Sequence, residues 1–385
     1  MARPTAKNNK NNLFQKGKLD ITFLSLVLIL LTFGLVMLFS ASYAYSLEYH
    51  KSSYMFIADQ AVYALVGIIG MFIASRINYR ILRAFSLPLY AIINLLLLIL
   101  LILPPMLPNM KVKRWFAIGG FSFQPSEIAK FAVVLLLATL IAANQKKMTS
   151  WRFVPWLFVI VFATSAMVIF EPHISAALLI AVIGVVLIYV GGLHRLVAIL
   201  GVVAAVTLVI VVITTQSTGF IDYGSDRIAN WLDPWSDATD GGFQTIQSLL
   251  AIGSGGLLGR GLGQSRQKYL WVPEPHNDFI FSIVCEELGL IGAVIIIILF
   301  ALLVWRGFKI AMNATDKFGS LLALGLTFQV GLQAMLNIWV VTNTIPNTGI
   351  SLPFFSYGGT SLVILLAEMG VVLSVSRASN IEKLN

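Results

Sequence analysis

Charge is scarce in this chain. Only 11% of its 385 residues are Asp, Glu, Lys or Arg, while 58% are hydrophobic and the mean hydropathy is +0.87. A soluble domain covers its surface with about a quarter charged residues, so this shortage excludes one and points to a polytopic membrane protein. Cysteine is scarcer still: Cys285 stands alone, which excludes an intramolecular disulfide. Without a Cys/His cluster, zinc and iron–sulfur sites are excluded as well. No repeat of fixed period occurs. The net charge of +9 does not indicate nucleic acid, because the basic residues sit in short loops between apolar runs, where they set topology and meet anionic headgroups.

What the sequence has instead is long apolar runs. With about 20 residues per span, the expectation is an all-α protein of about ten transmembrane helices, at 21–41, 57–75, 86–104, 126–143, 153–170, 174–191, 196–214, 279–304, 319–341 and 358–376. No sizeable soluble domain fits beside them. The first run follows Lys10, Lys16 and Lys18, as in a signal peptide, but exceeds the roughly 7–15 residues of such an apolar core and reads as a retained span. Ten spans put both termini on one side. Of the 26 Lys and Arg residues, 17 fall on that side and 9 on the other, so the positive-inside rule places both termini in the cytoplasm. The expected organisation is a disordered Asn- and Lys-rich tail (1–18), a transmembrane domain (19–377) with a large outer loop (216–277) between helices 7 and 8, and a short cytoplasmic tail (378–385). Within the outer loop, Ile246 to Leu250 and Leu257-Leu258 are too apolar for a solvated coil and suggest a short helix in the headgroup layer or folded back on the protein.

Most acids fall on the outer side, among them Glu48, Asp59, Glu127, Glu171, Glu274 and Asp278. Chemistry is therefore expected there. Pro273-Glu274-Pro275-His276-Asn277-Asp278-Phe279 packs polar groups at the lip of the eighth span. Asn277 or Asp278 would serve as a helix N-cap, but a cap does not explain His276 and Glu274, nor Glu286 and Glu287 deeper in the span, where ionisable groups are costly. Asp278 is the leading functional candidate. Lys113-Arg114-Trp115, followed by Gln124-Pro125-Ser126-Glu127 and Lys130, forms a second constellation. Pro125 and Glu127 are ordinary helix-start signals, Trp115 suits an interfacial anchor, and Glu127 and Lys130 share a helix face at i, i+3. A structural ion pair and a phosphate-binding site remain equally open.

The glycine-rich segment 253–263 fails both the Walker and the dinucleotide-binding spacings. It suits a tight backbone packed on neighbouring helices, with Arg260, Arg266 and Lys268 able to attract a diphosphate. The segment 347–361, which carries Pro353, Ser356 and the pair Gly358-Gly359, implies irregular backbone at membrane depth, tolerated where it lines a cavity.

Five ordered stretches together give the chain a family resemblance: Lys113-Arg114-Trp115, Gln124-Pro125-Ser126-Glu127 with Lys130, the glycine-rich segment, 273–281 with Glu286-Glu287-Leu288-Gly289, and 349–361. The chain resembles the SEDS family of bacterial shape, elongation, division and sporulation proteins along nearly its whole length. Asp233-Pro234-Trp235 with Gly242-Phe243-Gln244 looks more like the division and sporulation branch than the elongation branch. The resemblance implies a peptidoglycan glycosyltransferase in the bacterial cytoplasmic membrane that polymerises lipid II on the outer side. Its implied partners are a class B penicillin-binding protein and other division or sporulation membrane proteins, with no nucleic acid. Asp278 matches the family's catalytic position. Lys113, Arg114, Trp115, Glu127, Lys130, Arg260, Lys268, His276 and Ser356 are the expected substrate-binding residues. No cofactor or metal site is expected, although assistance to the diphosphate from a divalent cation stays open. One departure stands out: where many members read Gln-Pro-Asp-x-Gly-Thr, this chain has Glu171-Pro172-His173-Ile174-Ser175.

Chemistry leads to the same place. Outside the cell there is no pool of nucleotide sugars, so a transferase there needs a donor that brings its own leaving group, and a lipid diphosphate does so. Such a site needs a base for the acceptor hydroxyl and cations for the leaving diphosphate. Two other readings compete: a lipid II flippase with Glu127, Lys130, Glu286 and Glu368 as a polar path, and a non-catalytic division scaffold.

Overall fold

The computed structural model describes residues 14, 17–103, 114–118, 121–171, 173–193, 203, 207 and 227–379. Lys113, Pro172, nearly all of the expected seventh span and most of both expected tails lie outside the described residues.

The helices include α1 (Ile21–His50), α2 (Met55–Arg76), α3 (Leu82–Ile102), α4 (Pro125–Ala143), α5 (Val154–Phe170), α6 (Ile174–Val190), α7 (Phe243–Gly255), α8 (Ile280–Met312), α9 (Lys317–Val341) and α10 (Gly359–Ala378). Seven of these stretches are long and apolar enough to cross a membrane, α3 being extended by the preceding short turn, and α5 and α6 are shorter apolar helices of 17 residues each. Together they account for nine of the ten expected spans. A small antiparallel hairpin interrupts the all-helical pattern, with β1 (Phe116–Ile118) paired to β2 (Phe121–Phe123) in the register Phe116 to Phe123. Its two outer phenylalanine rings stack at 5.5 Å, and it carries the chain into α4.

Most spans follow from unbroken apolar sequence, and their ends are set by local signals. Asp20 caps α1 by accepting from the Phe23 amide at 2.9 Å, and Asp316 caps α9 by accepting from the Gly319 amide at 2.8 Å. Both caps also bind arginine: Asp20 pairs with Arg306 at 2.9 Å, and Asp316 with Arg80 at 2.6 Å. The Arg377 side chain donates to the Gly17 carbonyl at 2.7 Å. These contacts gather the start of α1 and the ends of α8 and α10 at one end of the bundle. The starts of α4, α6, α8 and α10 consequently lie at the other. α10 packs along α2, α8 against α9 and α1, and α4 against α3, α6 and α9. In their most apolar stretches 72% of α9 residues are buried but only 22% of those in the α3 span, so α9 is a central helix and α3 a peripheral one.

The glycine-rich segment does what the sequence suggested, locking backbone to backbone. α8 opens at Gly289, where φ is 68°, and a β-carbon there would meet the Gly259 amide nitrogen at 2.2 Å. Through that opening Arg260 and Gly261 donate backbone bonds to the Glu286 and Glu287 carbonyls at 2.9 and 3.0 Å, and Leu290 donates to the Gly256 carbonyl at 2.9 Å. The two acids then hold the loop by their side chains. Glu287 accepts from Ser40 of α1, from the amides of Gly263 and Ser265, and from Lys268 at 2.9 Å. Glu286 accepts from the Ser265 hydroxyl and from the amides of Arg266 and Gln267, with Arg260 at 3.5 Å.

Lys268 and Glu287 are both almost fully buried, and removing one partner of such a pair leaves an uncompensated charge. Lys268→Met should therefore cost about 3–5 kcal/mol of stability. It should appear as a lowered thermal unfolding midpoint of the detergent-purified chain; a midpoint equal to the parent's would show that the pair does not tie the loop down.

Candidate active site

At the end of the bundle opposite Asp20 a cavity of about 550 Å³ opens between the starts of α4, α6, α8 and α10. Arg114, Trp115, Glu127, Lys130, Asp278 and Ser356 all line it. Five of the nine expected binding residues and the expected catalytic one thus converge from four distant parts of the chain. The segment 349–361 forms one wall, as its irregular backbone suggested.

Asp278 corrects one expectation. The residue at the cap position of α8 is Phe279, with no side-chain capping bond, so the Asp278 carboxylate is not a helix cap and faces the cavity. Its backbone is pinned by Asn337, whose amide donates to the Asp278 carbonyl at 2.7 Å and to the Ile350 carbonyl at 2.6 Å. Its Oδ2 lies against Gly349, where φ is 67° and a β-carbon would approach to 3.3 Å; glycine supplies both the turn and the room. Burial, with Glu274 adding to it and Arg114 and Arg227 opposing, pushes the Asp278 carboxyl up to about 6.

Lys130 lies a turn and a half inside α4 and is almost completely buried. Its ammonium bonds Glu127 at 3.0 Å and Gln333 at 3.0 Å, so the ion pair and the cavity-lining position coexist. Gln333 in turn donates to the Ser351 carbonyl at 3.1 Å. Deeper, Glu368 accepts from Gln329 at 3.0 Å. Glu368 is nine residues into α10, so the polar lining descends about 14 Å from the start of that helix at 1.5 Å per residue.

On the far wall Arg114, just before β1, donates from Nε to the Glu171 carbonyl at 3.2 Å. His173 accepts at Nδ1 from the Gln124 amide at 3.0 Å, with the Ser126 hydroxyl at 3.3 Å. The Glu171 carboxyl is fully buried and, among the described residues, neither of its oxygens is hydrogen-bonded; burial pushes it up to about 8 against the pull of Arg114. Ser356 closes the opposite side, donating to the Asn277 carbonyl and accepting from the Leu352 amide, both at 2.8 Å.

Three expected binding residues are not brought here. Arg260 and Lys268 are bound to Glu286 and Glu287 at the break in α8. His276 sits in a cage of Tyr45, Phe56 and Tyr357, with ring centroids at 4.9, 4.3 and 6.0 Å. Burial, aided by His50, pulls its imidazole down to about 4, so it carries no charge for a diphosphate at neutral pH. Lys113 lies outside the described residues. Among the described residues no group of three or more His, Cys, Asp or Glu side chains is arranged to hold a metal ion.

Three side-chain amides were not among the expected site residues. Gln329, Gln333 and Asn337 recur every fourth residue of α9, which puts them on one helix face, and all three are buried. That spacing in an apolar span was the available signal for a helix lining a polar cavity.

These features define a class: a multi-pass helical membrane protein whose charged cavity enters from one end of the bundle. Residues 21–381 match the cell cycle protein family FTSW_RODA_SPOVE, and the chain belongs to that family. Among curated relatives it is 40% identical over 369 residues to stage V sporulation protein E of Bacillus subtilis, covering 95% of this chain and 99% of that protein. It is 38% identical to a probable peptidoglycan glycosyltransferase FtsW of Geobacter sp. (strain M18), covering 93% and 96% of the two. Among solved structures, a chain from a study of how a peptidoglycan synthase complex coordinates polymerization and crosslinking superposes with a TM-score of 0.76 at 28% identity, covering 93% of this chain and 98% of that one. The rod shape determining protein RodA of Thermus thermophilus gives 0.69 at 26% identity, with 94% and 98% covered. The all-helical membrane fold expected from the sequence is thus that of its relatives.

Asn337→Leu would leave the Asp278 and Ile350 carbonyls without their donor, at about 1–3 kcal/mol for each buried acceptor. The expected result is a lowered unfolding midpoint, and a variant as stable as the parent would mean that Asn337 does not pin this loop.

Proposed function

We propose that this chain is a peptidoglycan glycosyltransferase that polymerises lipid II at the outer face of the bacterial cytoplasmic membrane, in division or sporulation. The observation that carries the reading is the convergence in one cavity of the Asp278 carboxylate with the cations Arg114 and Lys130. Lipid II supplies a sugar bonded through its anomeric carbon to a lipid diphosphate. The acceptor hydroxyl attacks that carbon, Asp278 takes the hydroxyl proton, and the carbon–oxygen bond to the diphosphate breaks with its electron pair going to the leaving group. Arg114 and Lys130 meet the charge that develops there. A base whose pKa is raised is stronger and still mostly ionised near neutral pH.

The floor of the cavity favours a transferase over a flippase: beyond Glu368, the described part of α10 buries mainly Met369, Val371, Val372, Leu373 and Val375, and carries no further charged side chain until Arg377. A scaffold would have no use for a buried lysine opening on a cavity. Its partners on this reading are a cognate class B penicillin-binding protein, which would crosslink the peptides, and other division or sporulation membrane proteins; the likeness to a chain from a peptidoglycan synthase complex that couples polymerization to crosslinking supports the first.

Both termini face the cytoplasm on this reading, supported by the 17 to 9 asymmetry of basic residues. A cysteine placed at Ser236 should react with an impermeant reagent on intact cells and one at Lys146 should not; the reverse pattern would invert the topology.

Asp278→Asn keeps the size of the side chain but cannot take the proton. The purified variant, supplied with the partner and labelled lipid II, should fold and bind but lose polymerisation by at least about 100-fold, the lower range for general base catalysis. In the parent, kcat/KM should fall as pH drops below about 6, where Asp278 protonates. Polymer formation by the Asn variant near the parent rate would move the base elsewhere.

A further inference from the structure

The corner between α5 and α6 has no task in the reaction above, yet it forms cavity wall. His173, at the start of α6, lines the cavity together with Arg114 and Lys130. Its Nδ1 is taken by Gln124 and Ser126. With the Gln124 amide donating to Nδ1, the neutral ring carries its proton on Nε2, the one polar ring atom left for the cavity. Beside it the Glu171 carboxyl is buried and pushed up to about 8, so in the neutral range it is uncharged and does not offset Arg114.

We propose that His173 is a third donor to the leaving diphosphate, beside Arg114 and Lys130, and that it takes up a proton from solvent when that anion binds. The proposal rests on the polymerase reading and assigns a role to the residues by which this chain departs from the pattern of its family. The charged and titratable groups around the ring come from every wall: Arg114 before β1, Glu127 and Lys130 on α4, Glu171 at the end of α5, Glu368 on α10, and Glu274 and Asp278 before α8. In the empty cavity burial, then Arg114 and Lys130, hold the imidazole well below its usual range. An anion seated among the same cations cancels their repulsion and favours the imidazolium. The sign follows from linkage: the bound state has the higher pKa, so binding tightens as pH falls below that value and is independent of this group above it.

Two substitutions separate ring edges. His173→Asn keeps an acceptor where Nδ1 meets Gln124 and Ser126 but has nothing at Nε2. His173→Gln keeps a donor near Nε2 that cannot take up a proton. Titration of the purified full-length chain with inorganic pyrophosphate between pH 6 and about 8.5 should show the Asn variant weaker than the parent by about tenfold, the loss of one hydrogen bond to a charged group. The Gln variant should bind like the parent at high pH and fall behind it by about fivefold or more toward pH 6, because the one proton taken up by histidine is worth at most about tenfold per pH unit. An Asn variant that binds like the parent, a parent and Gln variant with the same pH slope, or a parent that binds no pyrophosphate at any pH would each overturn the assignment. A parent that shows the expected pyrophosphate pattern but forms no glycan from lipid II with its partner present would overturn the polymerase reading and leave this site standing.

Discussion

A charge withdrawn from water among apolar helices is tolerated only where other charges and hydrogen bonds replace the water it has lost. That cost organises this molecule. With so few charged residues to place, most of those withdrawn from water are paired, and several of the pairs join segments far apart in sequence. Asp20 meets Arg306, Arg80 meets Asp316, Lys268 meets Glu287 and Lys130 meets Glu127. The first two close one end of the bundle, the third fastens the long loop to α8, and the fourth sits in the cavity at the other end.

The two buried lysines show how surroundings turn one residue type to different ends. Lys268 spends its ammonium on Glu287, the Ser40 hydroxyl and the Gly263 carbonyl; its donors are used up, and it holds structure. Lys130 bonds Glu127 and Gln333 but opens on the cavity. An anion entering there meets a cation that is already desolvated and held in place, so little ordering remains to be done on binding. The Lys268 junction also steadies the site, because α8, broken at Gly289 and clamped by the glycine-rich loop, is the helix whose start presents Asp278.

Asp278 depends on its neighbours for both position and chemistry. Gly349 leaves room for the carboxylate, Asn337 fixes the carbonyl behind it, and partial enclosure raises its affinity for a proton. The amide face of α9 links this lip to the buried floor, since Asn337, Gln333 and Gln329 contact in turn the Asp278 backbone, Lys130 and Glu368. One central helix therefore holds the proposed base and a proposed cation in a fixed relation.

By itself the sequence determined the membrane class, the positions of nine apolar helices, the family, and the side chains around Asp278 and around Arg114 and Lys130. All of these follow from local signals: apolar run length, helix-start residues and short motifs. It did not tell Lys130 from Lys268, because both are lysines near glutamates at the edge of apolar segments, and only the folded chain shows which pair faces a cavity. Nor did it separate Asp278 as a cap from Asp278 as a cavity-facing carboxylate; that turned on α8 beginning one residue later than such a cap requires, at Ile280. The caging of His276 among Tyr45, Phe56 and Tyr357 and the place of His173 beside Gln124 rest on contacts between helices distant in sequence. Such contacts are set by tertiary packing, which fixes which charges keep a partner and which face the cavity.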